Sequence, residues 1–140
     1  MSISKASARW EGSLKDGRGS MKPAHGSETP FTLGTRFQGV QGSNPEELIG
    51  AALAGCFSMA LSAALGKEGL TPQSIDTSAD VQLEKDGEGF KIAKIELTTA
   101  ARVSGVEAAK FATIADETKK ACPVSKALAG TTITLKATLA

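Results

Sequence analysis

The sequence predicts a single domain of the α+β class, and three observations carry that expectation. Short polar–apolar alternations broken by Gly fill the first forty residues. An unbroken uncharged run covers residues 48–65. Two further alternating stretches then flank a segment with helical spacing. At 140 residues the chain is long enough for one sizeable core and too short for two ordinary domains.

In order, "ISKASARWEG", "SLKDGRGSMK" and "PFTLGTRFQG" read as the strands of an antiparallel meander, with Asp16-Gly17 as a turn signal. Residues 22–30, which hold the only histidine, His25, read as an exposed loop. A long central helix follows. Asn44 is its expected cap and Pro45 its first residue. Glu47 stands in capping-box position, and Gly69 is the expected stop, with Gly66 one turn earlier. Its 18 uncharged residues reach the lower limit for a membrane span, but the Ala-, Gly- and Ser-rich composition fits a helix buried in a soluble core, and no membrane span is expected.

Residues 75–84 ("IDTSADVQLE") put Ile75, Thr77, Ala79, Val81 and Leu83 on one face of a strand. "KDGEG" turns the chain back through "FKIAKIELTTAARV", where the apolar register shifts between Ile92 and Ile95 and predicts a bulge. A second helix from about Val106 carries Phe111, Ile114, Ala115, Thr118, Ala121 and Cys122 on one stripe, and "TTITLKATL" closes the chain as a strand.

Composition narrows function mainly by exclusion. Sixteen Lys and Arg against fifteen Asp and Glu give no basic field, so nucleic acid is not an expected partner. The amino terminus shows no apolar segment behind a basic start, which makes the cytoplasm the default location. Cys56 and Cys122 lie too far apart for a zinc pair and are too few for a disulfide scaffold; no metal site is expected.

The thiols differ in setting. Cys56 falls in the middle of the central helix with Leu53, Met59 and Ala60 on its face, an apolar site that by itself raises a thiol pKa, so reactivity there requires a cation from elsewhere. Cys122 precedes Pro123, which disfavours helix at Cys122 and suits the first position of a short new helix running to Gly130. Two readings stand side by side: Cys122 caps that helix and is acidified by its free N–H groups, or Pro123 merely kinks a helix beside a packed thiol.

Several segments in order, "ARWEG", "TRFQGVQGSNPEELIGAA" continuing through "LAGCFSMAL", "TPQSIDTSADVQL" and "KACPVSKAL", resemble the OsmC/Ohr family on its OsmC side, across nearly the whole chain. The resemblance implies an OsmC-like fold in an intertwined homodimer that reduces organic hydroperoxides. It implies Cys56 as the peroxidatic cysteine, Cys122 as the resolving one, Arg36 as the activating cation and Glu46 as its acidic partner. The local capping argument alone favours Cys122 as nucleophile; the resemblance assigns that role to Cys56.

On that reading Cys56 attacks the distal peroxide oxygen, an alcohol leaves, and the sulfenic acid condenses with Cys122. No bound cofactor is expected. A dithiol must reset the pair, and the resemblance points to dihydrolipoamide or a lipoylated protein. Leu53, Phe57 and Met59 are the expected pocket for a small organic or lipid-derived hydroperoxide. Glu46 and Cys56 are ten residues apart on one helix, roughly 15 Å along its axis, so a Glu46 serving Cys56 should come from the second chain. The alternative from another class is a non-catalytic redox sensor or ligand-binding dimer switched by the same disulfide.

Overall fold

The computed structural model describes residues 1–140, which divide into two compact units, Met1–Leu48 and Ile49–Ala140. In the first, β1 (Ala6–Glu11), β2 (Arg18–Pro23) and β3 (Thr29–Phe31) form an antiparallel meander in sequence order. Trp10 and Phe31 both pair with Gly19 of the middle strand, and their rings meet over it with centroids 5.5 Å apart. A Cβ on Gly19 would sit 2.7 Å from Trp10 Cε3 and 2.8 Å from Phe31 Cε1, so the contact needs glycine there.

The meander departs from expectation twice. Asp16-Gly17 is not a two-residue hairpin turn; the connection is the loop 12–17, in which Gly12 takes the positive φ of 88° and the Gly17 N–H donates to Ser13 O. "LGTRF" is helix, not strand. Thr32 caps α1 (Leu33–Phe37): its hydroxyl accepts from the Thr35 N–H while the Thr35 hydroxyl oxygen accepts from the Thr32 N–H, a reciprocal pair that outweighs the alternation. No apolar residue of this unit is buried; Glu46 alone is.

Helix α2 (Pro45–Lys67) starts where expected, with the Glu47 N–H donating to Asn44 Oδ1 at 2.9 Å. It stops at a left-handed Gly69, with the Leu70 N–H returning to Leu65 O. In the second unit β4 (Ser74–Asp86) and β5 (Gly89–Arg102) form a hairpin. The expected bulge is at Ala93, the residue left over between the Gln82–Lys94 and Leu83–Ile92 pairs. The chain then passes through α3 (Ala108–Ala121) and α4 (Pro123–Ala127), and β6 (Thr132–Leu139) returns parallel to β5 in the order β4-β5-β6. Helix α4 ends before Gly130, with Leu128 as its cap.

The core joins Leu53, Phe57, Leu61 and Leu65 from one face of α2 to Ile95, Leu97 and Ala101 of β5, Phe111, Ile114 and Ala115 of α3, and Cys122. Gly50 allows close approach of α2 to β4, since a Cβ there would sit 3.1 Å from Val81 Cγ2. A chain of hydroxyls runs from helix to sheet, Ser58 to Thr77 at 2.7 Å and Thr77 to Thr99 at 2.8 Å.

One expectation needs correction. The central helix is not buried all round: its most apolar window has mean hydropathy 2.0, and only 28% of that window is buried. Length and composition alone would let it cross a bilayer, yet one face is packed into the core while Ala51, Ala52, Gly55, Met59, Ser62, Ala63 and Gly66 lie exposed. The uncharged run reflects two apolar faces, of which this chain covers one.

Candidate active site

Pro123 decides the geometry at Cys122. Without an N–H it cannot continue α3 but fits the first position of α4, so Cys122 (φ −55°, ψ 128°) ends one helix and caps the next. The capping reading of Cys122 is the one the fold adopts. Cys122 is fully buried, and its Sγ lies 2.6 Å from Sγ of half-buried Cys56 on α2. Both cysteines are free thiols here, within reach of one another without rearrangement of the helices.

Their acidities diverge. Burial pushes the Cys56 thiol above its ordinary value, the hydrogen bond with Cys122 adds to this, and the Val124 N–H opposes it without reversing it. None of these groups is a cation. Burial also acts to raise Cys122, but the hydrogen bond with Cys56 and the Ser125 and Val124 groups at the start of α4 more than offset it, leaving Cys122 below its ordinary value. The Cys122 side chain makes no capping hydrogen bond as a neutral thiol, and as a thiolate it is a much stronger acceptor for those donors.

In the first unit Arg36, in the last turn of α1, meets Glu46 in the first turn of α2. Arg36 Nη2 donates to Oε1 at 2.6 Å, and Nε donates to Oε1 and Oε2 at 3.0 and 3.2 Å. Two anchors fix the geometry: Asn44 Nδ2 donates to Thr35 O at 3.1 Å, tying α1 to the start of α2, and the helix's positive end favours a carboxylate at Glu46. The guanidinium carbon lies 5.1 Å from the Phe37 ring centroid. Glu46 is almost wholly buried, while Glu47 is exposed at the same helix start.

The expected pocket residues do not share a face. Leu53 and Phe57 are fully buried in the core, and Met59, 79% exposed, points away from it. Sequence reasoning missed an apolar cavity of about 260 Å³ in the first unit, lined by Trp10, Leu14, Phe31, Leu33, Arg36 and Phe37. The available signal was the set of aromatic and leucine side chains spread over the meander and α1. The His25 loop borders a separate hollow lined by Ile3, Lys5 and Pro23 among others. Nowhere do three His, Cys, Asp or Glu side chains gather as metal ligands.

The profile of the OsmC-like protein family matches residues 38–136, a stretch holding both cysteines and Glu46. This chain belongs to the OsmC-like family. It is 50% identical over 126 residues to the peroxiredoxin OsmC of Escherichia coli K12, covering 89% of this chain and 88% of that one. To the organic hydroperoxide resistance protein of Xanthomonas axonopodis pv. citri it is 34% identical over 103 residues, 73% of this chain and 69% of that one. Solved structures agree in fold: an OsmC-like protein of Vibrio cholerae O1 has a TM-score of 0.78 at 17% identity, covering 98% and 99% of the two chains. OhrB of Bacillus subtilis has 0.72 at 25%, covering 96% and 97%. The meander, central helix, hairpin, second helix and closing strand expected from the sequence are therefore those of an OsmC-like fold.

Proposed function

We propose that this OsmC-like protein is a thiol peroxidase that reduces organic hydroperoxides to alcohols through Cys56 and Cys122. The observation that carries the reading is the 2.6 Å approach of the two Sγ atoms, in a chain half identical to a protein named peroxiredoxin. Cys56, the more accessible thiol, attacks the distal peroxide oxygen as a thiolate; the O–O bond breaks, the alkoxide leaves with a proton as alcohol, and Cys56 becomes a sulfenic acid. Cys122, the more acidic thiol and already in contact, attacks as its thiolate and displaces hydroxide, which leaves as water, to form the disulfide. A dithiol of the dihydrolipoamide type then restores both thiols.

Cys56 is raised within its own chain, so this order of events needs a cation. We assign that cation to Arg36 of the partner subunit in a homodimer, held in orientation by Glu46 of the partner subunit. Support comes from two incomplete surfaces: the small-residue face of α2 is uncovered, and the meander has no buried apolar residue of its own. Three strands without a core are not independently stable, and a face rich in Gly and Ala suits a close helix neighbour. The aromatic cavity beside Arg36 would hold the apolar tail of the hydroperoxide.

The deciding measurement is steady-state consumption of cumene hydroperoxide with dihydrolipoamide as reductant. Many equivalents consumed per chain support the peroxidase; consumption that stops at one equivalent with excess dithiol present points to a redox switch instead.

A further inference from the structure

Ser125 is 7% exposed, and its Oγ is the buried side-chain polar atom that finds no hydrogen-bond partner. It stands three residues after Cys122 on α4, the position from which a side chain reaches back to the capping residue. A neutral thiol is a poor acceptor for a hydroxyl, whereas a thiolate is a strong one. The Ser125 hydroxyl bears on the acidity of Cys122, and ionised Cys122 would supply the strong acceptor that the hydroxyl otherwise lacks. Ionised Cys122 appears twice in the proposed cycle, as the resolving thiolate and as the thiolate expelled when the disulfide is opened.

We propose that Ser125 is a positioning residue for the reduction half of the cycle: its hydroxyl donates to Cys122 Sγ as that sulfur is expelled, which directs the incoming dithiol to Cys56. The place of this step in turnover rests on the peroxidase reading; the direction of attack does not. A thiolate of the dithiol bonds to Cys56 Sγ while the Sγ–Sγ bond breaks, and the electron pair leaves on Cys122 Sγ, which later takes a proton. The second thiolate attacks the reductant sulfur bonded to Cys56, releases Cys56 as a thiolate and leaves the reductant as a disulfide. Two electrons pass from dithiol to protein. Attack favours the accessible sulfur and expulsion of the more acidic thiol, and both criteria select Cys56 as the target here. The pKa of Cys122, held below the ordinary thiol value, agrees with this geometry.

The test forms the disulfide with diamide, so that it does not depend on peroxide chemistry. Oxidised protein is treated with excess glutathione, quenched in acid early, and cleaved with trypsin, which places Cys56 in residues 37–67 and Cys122 in residues 121–126. Glutathione should be found on Cys56 over Cys122 by about tenfold or more. Ser125→Ala should slow opening about tenfold and erode that preference, Ser125→Thr should restore both, and Cys122 in the Ala variant should alkylate at higher pH. Glutathione mainly on Cys122 overturns the proposal even if Ser125→Ala does not fold, as does a folded Ser125→Ala with native rate and partition, or failure to form the disulfide. Attack on Cys56 in a protein that does not turn over cumene hydroperoxide would sink the peroxidase reading alone.

Discussion

Arg36 and Glu46 form a forked ion pair across the junction of α1 and α2, with Nη2 to Oε1 at 2.6 Å and Nε shared between both oxygens. The carboxylate is nearly buried while the Arg36 side chain remains 37% exposed. A guanidinium fixed along one edge and open along the other can neutralise a second anion without losing the first.

Replacing Arg36 with Gln should therefore suppress reaction of Cys56 with hydroperoxide by about 100-fold at neutral pH. Burial and Cys122 both raise Cys56, so without the cation its thiolate forms only at higher pH. The rising limb of the pH–rate profile should move upward, and rates should converge with the native protein at alkaline pH. Stopped-flow reaction with cumene hydroperoxide across pH measures this; an unshifted limb would separate Arg36 from Cys56.

Glu46 should act on the site of the other chain. Mixing Cys56→Ser chains with Glu46→Gln chains leaves each heterodimer one site with both native residues if the carboxylate works in trans, and none if it works in cis. Activity of verified mixed dimers well above both parents is the expected outcome, and activity no greater than the parents returns the carboxylate to its own chain.

Removing Cys122 should make Cys56 more acidic. Its hydrogen bond and charge both act to raise Cys56, and only the burial contribution and the opposing Val124 N–H stay behind in Cys122→Ser. Thiolate absorbance near 240 nm should consequently rise at lower pH than it does for Cys56 in the native protein. After one equivalent of hydroperoxide, dimedone should label Cys56 in this variant; label confined to Cys122 in Cys56→Ser would reverse the two roles.

The aromatic cavity predicts selectivity. Trp10→Ala and Phe31→Ala each remove a wall of the cavity of about 260 Å³. With apolar burial worth about 0.8 kcal/mol per CH₂, kcat/KM for cumene hydroperoxide should fall about tenfold while that for hydrogen peroxide stays within twofold. An equal loss on both substrates would place the defect in the fold and not in substrate binding.

Much of this architecture was legible because local rules agree along the chain. Asn44, Pro45 and Glu47 announce α2, Gly69 ends it, and the displaced apolar pair Ile92 and Ile95 marks the bulge at Ala93. "LGTRF" misleads because five residues of alternation say less than the reciprocal hydrogen bonds of Thr32 and Thr35, which depend on backbone geometry. Met59 misleads for a related reason: hydrophobicity identifies a face but not which neighbour covers it, and this residue faces away from the core that takes Leu53 and Phe57.

By itself the sequence determined most of the elements and the family resemblance, and it narrowed Cys122 to a helix cap or a kink, since proline at 123 leaves the preceding residue little choice of backbone; the structure chose the cap. Only the tertiary structure decided that Cys56 and Cys122 meet at 2.6 Å, that Glu46 is buried under Arg36, and that Ser125 is left without a partner. The first of these depends on packing between segments 66 residues apart in the chain, where a shift of one helical turn, about 5.4 Å, would separate the two sulfurs while leaving every local signal unchanged.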